Sequence, residues 1–200
     1  MNFPIVYTTE QMEQLQDFIS NTFGDGEDGL IGHELVSEYV HTDVAALNTE
    51  DGNRCFVTFG MSARRMNAPI PQLSHVELLM FASKDTVFTS QEAQVIMGEL
   101  QSLSKYPFRN DTFLGPGHTI AASGLFEETF GFDALAFLPM EMSRIDSIGD
   151  VLFLAVIPIY RQEREAMIAG NTFDIADRLL EEFGDNLYYA DCGREPLANG

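Results

Sequence analysis

Two hundred residues carry 31 acidic and 11 basic side chains, a formal net charge of -20 and a pI near 4.2, with 45% of residues apolar. A chain of this length and composition makes one ordinary domain that buries roughly two-thirds or more of its unfolded surface, which excludes a disordered chain or a disulfide-stapled miniprotein. The charge repels phosphate backbones and anionic membranes, so neither nucleic acid nor membrane binding is expected; it either favours cationic partners or serves solubility alone.

The first helix is predicted to start at Thr8, which has capping-box spacing with Gln11. Met12, Leu15, Phe18, Ile19 and Phe23 follow at helical intervals, and Gly24 ends the run. "GDGEDG" at 24–29 lacks the full ligand spacing of a calcium loop and reads as a flexible acidic turn. Residues 35–47 read as a strand, "EDGN" at 50–53 as its turn and "RCFVTF" at 54–59 as the returning strand. "HVELLMFA" at 75–82 reads as a further strand. Thr89 and Glu92 form a second capping box, followed by the apolar stripe Ala93, Ile96, Met97, Leu100 and Leu103.

Residues 134–140 and 151–159 are strand candidates, and the second is apolar on both faces, as a strand covered on both sides is. Arg161 to Ala169 reads as a short helix ended by Gly170. Asn171 with Asp174 opens another, with Ile175, Leu179, Leu180 and Phe183 as its stripe and Gly184 as its end. Strands and helices do not alternate strictly. The expected fold is α+β: a single domain with a mixed β-sheet and helices packed against it, a core of about 8–190 and a loop tail at 191–200. Val57, Leu78, Met80, Phe153, Ala155 and Ile157 are the expected core of that sheet.

Cys55 and Cys192 are isolated, with neither disulfide-framework nor zinc spacing, and no cofactor or metal is expected. No secretory signal is visible, and the longest apolar run, at 151–160, is too short to cross a bilayer, so the expected location is cytoplasmic. Nucleophile-elbow, phosphate-loop, dinucleotide and zinc-protease motifs are missing. His41 and Asp43, two apart on one strand face, are the best polar pair. They could orient a base or hold a metal; with no third ligand in view they read first as a structural hydrogen bond. His118 could join them only through the fold, which would make a hydrolase.

Arg64 and Arg65 form the only adjacent basic pair. They stand on a loop between Met61 and Met66, which as adaptable apolar neighbours would suit a binding anchor. They could also solubilise the loop, or pair internally with acids such as Glu77. Pairing or solvation is the preferred reading, because an acidic protein poised for a cationic partner should not lead with arginines.

Five stretches in order resemble the suppressor-of-fused family: "VHTDV" at 40–44, "TFGMSARRM" at 58–66, "VELLM" at 76–80, "YPFRNDTFLGPGHTI" at 106–120 and "VIPIYRQE" at 156–163. They carry the motif positions Gly60, Met61, Ser62, Glu77, Gly115, Gly117, His118 and Tyr160. Phe113 and Pro116 stand where the family often has Trp and Tyr, and residues 123–132 match nothing in it. The chain looks like the short bacterial form, without the second half of the animal regulators. The resemblance implies a non-catalytic binding protein. Animal members sequester a transcription factor, and bacterial members look like immunity proteins that neutralise toxins. The acidic surface would suit a cationic toxin.

Overall fold

The computed structural model describes residues 5–35, 37–85 and 88–197, with the side chains of 27–30 left out. Thr8 caps the first helix, α1 (Thr9–Phe23), by the expected reciprocal box with Gln11. Seven strands follow among the described residues: β1 (Asp25–Gly32), β2 (Asp43–Asn48), β3 (Arg54–Phe59), β4 (Val76–Ala82), β5 (Thr119–Ala121), β6 (Ala134–Ile145) and β7 (Gly149–Ile159). Between and after them stand α2 (Ser90–Arg109), α3 (Gly124–Phe130), α4 (Arg161–Ala169) and α5 (Thr172–Phe183). The strands form one sheet in the order β1-β2-β3-β4-β7-β6-β5. Only the central β4–β7 pair is parallel; the other neighbours are antiparallel.

β7 explains the layering. Val151 and Phe153 pack against α1, with Leu15, Ile19 and Phe23. Leu152, Leu154 and Val156 point the other way, into a cluster with Ala93, Ile96 and Leu100 of α2 and Phe126 of α3. Ala155, Ile157 and Ile159 return to the first face, over Met167 of α4 and Leu179 of α5. Alternation along one strand thus feeds helices on both faces, which is why this strand is apolar throughout. Val57, Leu78, Met80, Phe153, Ala155 and Ile157 are all buried, as expected.

Four segments differ from expectation or have no element assigned by the sequence. Residues 25–32 are an edge strand rather than a turn, because pairing with β2 outweighs their Gly and Asp content. A register shift between Gly26 and Ile31 absorbs the irregular composition. The strand expected at 35–47 is regular only from Asp43; residue 36 lies outside the described residues, and 37–42 have no regular strand but are tied to Ile5 through a bridge at Val40. Residues 123–132 contain α3, capped by Ser123 and stopped by Gly131 in the left-handed region at φ 82°. β6 also runs past 140 to Ile145, held by its long hairpin with β7.

The described tail, 191–197, has no regular structure, but it is tied down. Arg194 is buried against Glu163 of α4 with both nitrogen–oxygen distances at 2.7 Å. Its guanidinium lies over the rings of Phe132, Tyr160 and Phe183.

Candidate functional site

Gly60 leaves β3 with φ 121°, and a Cβ there would sit 2.3 Å from the His41 carbonyl oxygen. Only glycine fits both constraints. The chain then makes a short turn over Met61–Ala63 that aims its amides at Glu77. Glu77 Oε1 accepts from the backbone N–H of Gly60 (3.1 Å), the backbone N–H of Ser62 (2.9 Å) and the Ser62 hydroxyl (2.7 Å). The Tyr7 hydroxyl donates to the same oxygen at 3.0 Å and also bonds Ser62 Oγ. Thr58 donates to Oε2 at 2.6 Å while accepting the Leu78 N–H.

Burial raises the Glu77 carboxyl above the ordinary carboxylate value, against the pull of its donors Thr58, Ser62 and Gly60. Burial, with Glu77 beside it, pushes the Tyr7 phenol well above its usual value. This buried hub fixes the Gly-Met-Ser turn from beneath.

Glu77 therefore does not pair with the arginines. Arg64 donates to the Tyr39 carbonyl at 3.0 Å and lies over the Phe108 ring at 5.0 Å and the Tyr39 ring at 5.8 Å. Arg65 is exposed, with a long 3.4 Å contact to Ser74 Oγ. Met61 and Met66 are core residues, buried against α2 and β4, and not surface anchors.

His41 and Asp43 do meet. His41 Nε2 lies 3.2 Å from Asp43 Oδ1, and His33 Nδ1 lies 3.1 Å from Oδ2. Ser37 Oγ lies 2.9 Å from His41 Nδ1, but its proton goes to Glu34 Oε2 at 2.7 Å. A nucleophilic serine gives its proton to the imidazole, so this serine is not set up to attack. Glu34 Oε2 also accepts from Lys105 Nζ (2.8 Å) and the Thr42 N–H (2.9 Å). Burial alone would raise Glu34; Lys105, Ser37 and Thr42 outweigh it and hold the carboxyl below its ordinary value. Burial lowers Lys105, with Glu34 opposing it.

This network clamps Glu34, Ser37 and Thr42 onto the end of α2 through Lys105. Sequence reading passed over Ser37, Glu34 and Lys105. The visible signal was a lysine within the apolar run of α2, in a chain with only two lysines.

His118 does not join the pair. Its ring packs on Phe113 at 4.6 Å, and its carbonyl accepts the Phe137 N–H of β6. Gly117, at φ 82°, donates its N–H to the Phe137 carbonyl and accepts the Thr172 hydroxyl. Gly115 lies against the Phe113 ring. Tyr160 caps α4 and donates its hydroxyl to the Arg194 carbonyl. The set that the alternative hydrolase reading would need is thus split between two places. Among the described residues no group of three or more His, Cys, Asp or Glu is arranged to hold a metal ion.

One concavity opens beside the His33–Asp43 pair, both of which line it. A groove of about 350 Å³ runs between α1 and the β1–β3 end of the sheet. Met12, Gln16, Ile19 and Ser20 form its helix wall; Ile31, Ala45, Val57 and Phe59 form most of its apolar floor.

No curated protein sequence matches the chain significantly. Solved structures share its fold, among them these two. A chain of a Sufu–Fu complex matches at 14% identity with a TM-score of 0.65, covering 94% of this chain and 90% of the other. Drosophila Suppressor of Fused matches at 15% identity with a TM-score of 0.67, covering 92% of this chain, which spans 50% of that protein's length. Residues 38–195 match the family described as suppressor of fused protein. That span includes every motif position quoted from the sequence, from His41 to Tyr160, and the chain belongs to the suppressor of fused family.

Proposed function

We propose that this protein is a non-catalytic binding module that captures a basic protein, in the manner of an immunity protein that neutralises a cationic toxin in the cytoplasm. The observation that carries the reading is the net charge of -20 on a family fold that is represented in a Sufu–Fu complex. A surface so acidic accelerates and orients the approach of a basic partner, and repels other acidic proteins and nucleic acid. The polar clusters fit this reading: Glu77 and Glu34 spend their hydrogen bonds on holding loops in shape. A preformed loop surface loses less conformational freedom on binding.

Capture from extract of the native cell, followed by mass spectrometry and calorimetric titration of the co-eluting protein, tests the proposal. The expected partner is stoichiometric, with a pI above about 9, and its toxicity in a bacterial host is relieved when this protein is co-expressed. A stoichiometric partner that is acidic or neutral overturns the reading.

A further inference from the structure

We infer that the groove between α1 and the β1 edge is the docking site for an extended, basic segment of the partner, with apolar side chains entering the groove and lysines or arginines along its rim. The inference rests on the binding-module reading and names the surface that would serve it. Three independent features of the groove lead to one occupant.

The first is apolar exposure. Met12 on the helix wall is 41% exposed and Ile31 on the edge strand 49%, whereas the stripe of α1 directed at the core is buried. These two side chains flank a concavity floored by Ala45, Val57 and Phe59. It can accept apolar side chains from outside.

The second is backbone geometry. β1 is the last strand on its side of the sheet, with β2 as its only strand partner among the described residues. An edge strand offers unpaired N–H and C=O groups to an extended chain, and the pleat would send alternate side chains of that chain toward the groove. The register shift between Gly26 and Ile31 restricts full pairing to part of the strand. That discourages a second copy from continuing the sheet and still leaves room for a short segment.

The third is charge. From Thr9 to Gly32 the sequence holds no lysine or arginine. Glu13 and Asp17 are exposed on α1, on the flank that carries Gln16 and Ser20 into the groove wall. The opposite flank is occupied, because Gln11 and Gln14 bond Ser147 and Asp146 at the β6–β7 turn. Asp25 is exposed where β1 begins. A second acidic copy of this chain would be repelled from such a rim. A basic strand would be held by it, and the apolar floor would select for alternating apolar residues.

The test uses the full chain and two fluorescein-labelled peptides, KVKVKVK and its acidic counterpart EVEVEVE, titrated by anisotropy. The expected result is binding of the basic peptide alone. Met12→Lys and Ile31→Lys, each at an exposed position, should each weaken that binding at least about ten-fold with the thermal melt unchanged; either variant suffices if the other fails to fold.

Equal binding of the two peptides overturns the choice of a basic occupant. Undiminished binding to both variants overturns the groove as the site, and so does failure of the wild type to bind the basic peptide. Neither of those outcomes touches the broader reading, which stands or falls on the pI of the captured protein.

Discussion

Glu77 sits beneath a loop whose residues reach it by three separate donors, and a tyrosine from the start of the chain supplies a fourth contact to the same oxygen. Glu77→Gln keeps the shape but sets N–H groups against Thr58 or the Gly60–Ser62 amides. It should cost about 1–3 kcal/mol on the acid side, since a buried donor is left facing donors. Because burial raises the folded carboxyl, Glu77's contribution to stability is full below its unfolded value of about 4.3 and is lost as pH rises through the folded value. The penalty of the variant, read from melts at pH 5 and pH 8, should therefore shrink toward pH 8. A penalty that grows with pH would show that the donors, and not burial, dominate the group. The neighbouring arginines separate by the same kind of reasoning. Arg64 lies over two rings and bonds a carbonyl, so Arg64→Ala should lower stability by about 1 kcal/mol. Arg65 is exposed, and Arg65→Ala should stay within about 0.5 kcal/mol by chemical denaturation. Neither change should weaken partner binding. A ten-fold affinity loss with an unchanged melt would make the pair an anchor after all.

α4 and the tail behind it form a unit closed by one buried ion pair. Glu163 accepts both guanidinium nitrogens of Arg194, the Tyr160 N–H that opens the helix and the Leu197 N–H. Arg194→Met leaves that carboxylate buried without its counter-charge, and a loss of about 3–5 kcal/mol is expected by calorimetry. Adding Glu163→Met should cost less than the sum of the single changes, because the two groups share one interaction; strict additivity would refute the coupling. α4 itself was legible in the sequence, as were α1, α2, β3 and β4. Each has a cap or turn signal within a few residues of an apolar period: Thr8 with Gln11, Thr89 with Glu92, Gly52 before β3. β1 was not legible, because its strand character comes from pairing with β2 and not from its own Asp and Gly residues. The buried role of Arg194 was hidden for a related reason. Its partner lies 31 residues away, and a charged residue in a Gly- and Pro-containing tail carries no local mark of burial. The site divides in the same way. The family stretches pointed to Gly60, Ser62 and Glu77, but Tyr7, 70 residues from Glu77, and the Ser37–Glu34–Lys105 chain are products of the tertiary fold.

A net charge of -20 acts on every equilibrium the protein takes part in, and it acts with opposite signs on folding and on capture. In the free protein the like charges repel across a compact surface, which lowers the stability of the folded state. Between about 10 mM and 0.1 M salt the screening length contracts from about 30 Å to about 10 Å, so much of that repulsion is removed. The melting temperature of the free protein should rise over this interval. Among the described residues Glu34–Lys105 and Glu163–Arg194 are close, largely buried pairs, and salt should affect them little. The proposed complex should behave in reverse, because the field that destabilises the free protein would steer and hold a basic partner. Over the same interval the association rate with that partner should fall steeply while the dissociation rate changes less. Measuring melts and stopped-flow association in one salt series brings the two effects into direct comparison. If the melt rises and association slows together, the surplus of acids is a recognition surface maintained at a cost in stability. If the melt rises and association is insensitive to salt, the charge serves solubility alone and the basic-partner reading loses its physical support.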